Sequence, residues 1–189
     1  MVLHVPPGWT PERPAPLAVM LHGAGGKAGH GLALLDPFAA QQGVMVLAPS
    51  SRGPTWDVLL EDWGADVAAI DAVLDWVFAR YRIDAARLAI GGFSDGASYA
   101  LSLALANGGL FPRAIALSPG FIAGAPTRGQ AEVFMSHGTD DRVLPIEPCS
   151  RRIAKALRQG GHSVDYVEFD GGHVVPPQIA RDAVAWLLR

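Results

Sequence analysis

Cysteine is nearly absent from this 189-residue chain: Cys149 stands alone, so no internal disulfide can form, and no histidine accompanies it at metal-site spacing. A chain without disulfides fits a reducing compartment, and the sequence reads as cytoplasmic. Charge is scarce too. Charged residues make up 17% of the chain and the formal net charge is −3, which gives no electrostatic basis for binding nucleic acid or an anionic membrane. Long hydrophobic runs are also missing: nothing approaches about 18 consecutive apolar residues, and Met1-Val2-Leu3-His4-Val5-Pro6 has neither the basic start nor the long apolar stretch of a secretory leader. These absences leave a small molecule as the expected partner, with no metal and no cofactor.

What is present is an alternation of short β-rich runs and helical patterns, which argues for an α/β fold with a mainly parallel sheet in one domain, 1–189. Strands are expected at 17–21, 44–48, 87–91, 114–117, 132–136 and 163–169, with 2–5 as a weaker seventh. Helices are expected at about 31–42, 64–81, 95–107, 146–160 and 177–188. In the second of these, Val67, Ile70, Leu74, Val77 and Tyr81 form an apolar stripe, while Asp66, Asp71 and Asp75 fall outside it. The Pro- and Gly-rich stretches 6–16 and 119–130 are of loop length. No insertion is long enough for a cap domain.

The most informative segment is Gly92-Phe93-Ser94-Asp95-Gly96, placed between the apolar run Leu88-Ala89-Ile90-Gly91 and a small-residue helical stretch. In a chain with 22 glycines the bare Gly-x-Ser-x-Gly pattern could be coincidence. Strand before and helix after make it a nucleophile elbow, in which a tight turn exposes a serine hydroxyl and aims helix N–H groups at a developing oxyanion. A serine hydroxyl needs a base, and the base needs an orienting carboxylate. Among the late histidines only His173 follows the final strand. His162 precedes that strand, and His22 and His137, each before a glycine at a strand end, read as structural. For the carboxylate, Asp140 and Asp141 compete in the loop after strand 132–136, and one of them could simply order the turn. Spacing alone does not choose between them.

The segment His137-Gly138-Thr139-Asp140-Asp141-Arg142-Val143-Leu144-Pro145 resembles the His-Gly-x-x-Asp-x-Val-x-Pro signature of α/β-hydrolase esterases. Together with Leu21-His22-Gly23-Ala24-Gly25-Gly26, Ser51-Arg52-Gly53-Pro54-Thr55-Trp56-Asp57 and the elbow, it makes the chain similar to the phospholipase/carboxylesterase family from about residue 15 onward. The resemblance implies an α/β-hydrolase fold, Asp141 as the acid beside Ser94 and His173, and an oxyanion hole made by the backbone N–H groups of Ala24 and Asp95. The glycines around Ala24 suit close approach, and the Asp95 side chain suits the positive end of a helix. Such enzymes usually carry more sheet before the segment 17–21, so a reduced sheet of about seven strands with a missing or short first edge is expected. Trp56, Phe121 and Leu144 are candidate substrate-binding walls. With no lid, the expected activity is hydrolysis of small or short-chain carboxylic esters. A thioesterase, a peptidase and a non-catalytic ligand-binding protein of the same fold are the alternatives.

Overall fold

The computed structural model describes residues 1–60, 64–124 and 127–189. Its centre is a seven-stranded sheet of β1 (Val2–His4), β2 (Ala15–Leu21), β3 (Met45–Ala48), β4 (Ile83–Phe93), β5 (Arg113–Leu117), β6 (Glu132–Gly138) and β7 (Val164–Phe169), in the order β1-β3-β2-β4-β5-β6-β7. All neighbours run parallel except β1, which pairs antiparallel with β3. The three-residue β1 is the short first edge that the sequence led us to expect.

Helices cover both faces. Side chains on a strand alternate between faces, so Leu17, Val19 and Leu21 join one core while Ala18 and Met20 join the other. The first core packs beneath α3 (Ala65–Phe78), α4 (Asp95–Ala106) and α5 (Arg152–Gln159); the second contains residues of α2 (Phe38–Gln41) and α6 (Pro177–Leu187), with α1 (Ala28–Ala33) beside β2 and β3. Covered on both sides, β2 and β3 are almost wholly apolar, as buried parallel strands must be. Because β2 to β7 share one direction, the loops after all of them emerge at one edge, where an α/β sheet gathers its functional residues. Among the described residues no helix is long and apolar enough to cross a membrane.

The structure differs most from the sequence reading in three of the expected elements. The helix expected at 31–42 is two short pieces, α1 and α2, because Pro37 lacks an N–H and disfavours helical backbone in the residue before it. Strand β4 begins four residues early, at Ile83, although Asp84-Ala85-Ala86 has poor strand propensity; Ala15 donates to the carbonyl of Arg82 (2.9 Å) and holds this end against β2. The helix expected at 146–160 opens with a π-helical turn, Glu147–Arg151, before α5. The expected loop at 119–130 includes Ala125 and Pro126, which lie outside the described residues.

Strand β4 and helix α4 meet closely. A Cβ on Gly92 would lie 2.6 Å from the backbone of Gly96 and from the carbonyl oxygen of Leu21, which leaves no room for any side chain. Exposed Gly29, in α1, has nothing within 4 Å of such a Cβ. Gly92→Ala should therefore cost about 1–3 kcal/mol or more, whereas Gly29→Ala should be neutral or stabilise by up to about 1 kcal/mol. Urea denaturation of both variants checks this, and equal stabilities would contradict the close approach.

Candidate active site

Ser94 sits between β4 and α4 with φ 57° and ψ −121°, a backbone region that costs a non-glycine residue about 1–3 kcal/mol. Hydrogen bonds to both sides hold it there. Its N–H donates to the carbonyl of Leu117 on β5 (2.9 Å), and its own carbonyl accepts the N–H groups of Ala97 and Ser98 (3.0 Å each) in the first turn of α4. Only 9% of the residue is exposed.

From this serine a hydrogen-bonded chain runs into the protein. Ser94 Oγ is 2.9 Å from His173 Nε2, and His173 Nδ1 is 2.6 Å from Asp141 Oδ2. An ionised carboxylate only accepts, so Nδ1 carries the ring proton and Nε2 presents a lone pair to the serine hydroxyl. The two loops that bear Asp141 and His173 are tied together: Thr139 N–H donates to Phe169 O and Asp140 N–H to Gly171 O, both at 2.9 Å. The ring of Phe93 packs against His173, with centroids 4.6 Å apart.

The two aspartates part ways. Asp140 is exposed, while the side chain of Asp141 is fully buried. Asp141 Oδ1 accepts the N–H groups of Val143 and Leu144, 2.9 Å each, so the turn-ordering role open to either aspartate falls to the residue that also meets His173. Burial acts to raise its carboxyl, but the Leu144 N–H, the His173 ring and the Val143 N–H favour the charged form more strongly and leave it below its ordinary value.

The loop after β2 comes up against the elbow, where a Cβ on Gly23 would lie 3.3 Å from Ser94 Cβ. Among the described residues the N–H groups of Ala24 and Asp95 donate to no protein acceptor. Segment 50–57 holds both donor-bearing stretches in place. Pro54 O accepts the Gly25 N–H (2.7 Å), Ser51 donates to His22 Nε2 (3.1 Å), and Thr55 Oγ1 donates to Asp95 Oδ2 (2.8 Å). His22 Nδ1 lies 2.8 Å from Gly23 O, so with Nε2 accepting from Ser51, the ring serves the loop backbone.

Trp56 needs correction. Instead of forming a substrate wall it is 0% exposed; its Nε1–H donates to His22 O (2.8 Å), and its ring stacks on Tyr99 at 5.4 Å. Phe121 and Leu144 are half-buried on the loops after β5 and β6, with Leu144 against Gly120 beside Phe121. Asp66, outside the apolar stripe of α3, is nonetheless not exposed. It is buried and accepts the N–H groups of Arg52 and Asp57, while Asp57 accepts those of Gly64 and Asp66 and the hydroxyl of Tyr99. The sequence reading missed this pair. Its available signal was position, since a carboxylate in the first turn of a helix is well placed to accept backbone N–H groups. Among the described residues no three His, Cys, Asp or Glu side chains gather as a metal-ligand set.

The sequence profile of the phospholipase/carboxylesterase family matches residues 65–187. The chain belongs to the phospholipase/carboxylesterase family. It is accordingly a hydrolase that acts on ester bonds. It is similar to feruloyl esterase C of Emericella nidulans, with 30% identity over 91% of this chain and 75% of that protein. In fold it is similar to the esterase PE8, with a TM-score of 0.76 at 24% identity over 99% of this chain and 96% of that one. It is also similar to the Bacillus cereus carboxylesterase, with a TM-score of 0.74 at 20% identity over 98% and 92%.

The lowered Asp141 carboxyl has a thermodynamic signature in this esterase. A carboxyl whose folded value is depressed contributes stability that is complete above its unfolded value, about 3.9, and that is lost as pH falls through the lower folded value. Asparagine at this position has no such proton to gain. The stability difference between wild type and Asp141→Asn should move in favour of the variant between about pH 5 and about pH 3. Urea titrations at the two pH values measure it, and movement in favour of wild type between them would contradict the depressed carboxyl.

Proposed function

We propose that this chain is a serine carboxylesterase in which Ser94 is the nucleophile, His173 the general base and acid, and Asp141 the residue that orients His173. The observation that carries the reading is the continuous path from Ser94 Oγ through His173, at 2.9 Å, to Asp141, at 2.6 Å. The Ser94 proton passes to His173 Nε2 as Oγ attacks the ester carbonyl carbon. The tetrahedral oxyanion is received by the N–H groups of Ala24 and Asp95, where each preorganised donor is worth about 10²–10³-fold in rate. The intermediate collapses, His173 gives its proton to the departing alkoxide, and the acyl group remains on Ser94. Water then repeats the sequence, with its proton taken by His173 and the carboxylic acid released. No metal or organic cofactor enters these steps. The partner is a small-molecule ester.

For the acyl group, small or short chains suit a serine reached through loops alone, with half-buried Phe121 and Leu144 on the neighbouring loops. A second reading, esters of aromatic acids, draws support from the likeness to feruloyl esterase C. Rates on p-nitrophenyl acetate, p-nitrophenyl butyrate and methyl ferulate separate the two. Ser94→Ala should fold normally, since alanine at this φ pays the same backbone cost as serine, and should lose about 10⁶-fold in kcat. In the same assay Asp141→Asn should lose about 10²–10⁴-fold, whereas Asp140→Asn should lose less than about tenfold. Appreciable activity in Ser94→Ala would overturn the nucleophile, and a crippled Asp140→Asn beside an active Asp141→Asn would move the acid by one residue.

A further inference from the structure

His137 is fully buried at the end of β6, and none of the proton transfers described above uses it. Its Nε2 is 2.8 Å from Leu144 O and 3.2 Å from Asp141 Oδ2, the oxygen that meets His173. Its Nδ1 is 2.6 Å from Ser150 Oγ, in the π-helical turn Glu147–Arg151. These neighbours settle the proton positions. Leu144 O and the ionised carboxylate can only accept, so Nε2 carries the hydrogen; Nδ1 is then an acceptor, and the Ser150 hydroxyl donates to it. Burial pushes the imidazole below its ordinary value, in keeping with a neutral ring.

We infer that His137 is a positioning residue for the acid of this esterase, its Nε2–H steering Asp141 Oδ2 toward His173 while Leu144 and Ser150 hold the ring in that orientation. The inference rests on the Ser94–His173–Asp141 reading above. Leu144 closes the loop, because its N–H donates to Asp141 Oδ1 at 2.9 Å while its carbonyl receives His137. Both carboxylate oxygens are thereby held, and neither can swing when His173 becomes charged. Distance decides what kind of help this is. The contact to Oδ2 is the longer arm of a shared hydrogen bond, whereas His173 lies at 2.6 Å, so His137 restrains the carboxylate without taking its strong bond from the base.

The test measures kcat and KM on p-nitrophenyl acetate, per folded chain, with the folded fraction read by circular dichroism. His137→Phe keeps a flat buried ring and removes the donor. It should lower kcat on the order of ten- to a hundredfold, the range for partners that orient a reacting side chain, with KM unchanged. His137→Gln, which can place an N–H near the former Nε2, should recover kcat to within about threefold of wild type. In an Asp141→Asn background, His137→Phe should cost less than about twofold more, because the residue it acts through is already disabled. A wild-type kcat in His137→Phe, or losses that multiply in the double variant, would overturn the inference. If His137→Phe does not fold, Ser150→Ala decides: releasing the ring proton should lower kcat by about threefold or more, and a wild-type kcat would overturn the inference. Activity in Ser94→Ala would instead mark failure of the underlying triad reading.

Discussion

The tight joint between β4 and α4 is the constraint on which the rest of the site depends. Backbone meets backbone at Gly92 and Gly96, and Ser94 is held between them at φ 57°. The strain at that residue persists because the hydrogen bonds to Leu117, Ala97 and Ser98 overdetermine it. A serine in relaxed extended or helical backbone would aim its hydroxyl elsewhere. Here the sharp turn sets the hydroxyl 2.9 Å from His173 and leaves the Asp95 N–H, the first of α4, without a protein partner among the described residues.

Around this fixed point the parallel sheet gathers partners that lie far apart in the chain. Asp141 follows β6, His173 follows β7, and Gly23 follows β2, all at the same edge. Each arrives with its own support: Asp141 by its bonds to Val143, Leu144 and His137, the histidine loop by its ties to Thr139 and Asp140, and the Gly23 loop by segment 50–57. Trp56 contributes from beneath. Its indole N–H secures His22 O while its ring fills the core against Tyr99. Buried polar groups of this sort specify geometry because each has a partner whose loss would be costly.

Much of this was legible in the sequence where the signal is local. Strand, Gly-x-Ser-x-Gly and small-residue helix mark the elbow without tertiary information, and chain order singles out His173 as the histidine after the last strand. Pro37 carried its own warning against a continuous helix at 31–42. Other features had no local signal. Asp140 and Asp141 are chemically identical neighbours, and only the family pattern and then burial separate them. Trp56 lies in a segment of serine, glycine and proline that reads as surface loop, yet its indole N–H finds a buried carbonyl 34 residues away in sequence. The contact of His137 with Asp141 arises from packing between segments, so periodicity and spacing are blind to it, whereas for buried Asp66 the first-turn position in α3 was a local hint.

The central claim is that the ester's acyl group passes through Ser94. Rapid mixing with p-nitrophenyl acetate, followed by acid quench, proteolysis and peptide mass spectrometry, tests it most directly. The account predicts one acetyl group transiently on the peptide that contains Ser94, assigned to Ser94 by fragmentation, with a burst of p-nitrophenol matching its formation. Acetyl on a different residue, or steady turnover under burst conditions with Ser94 never acylated, would contradict it.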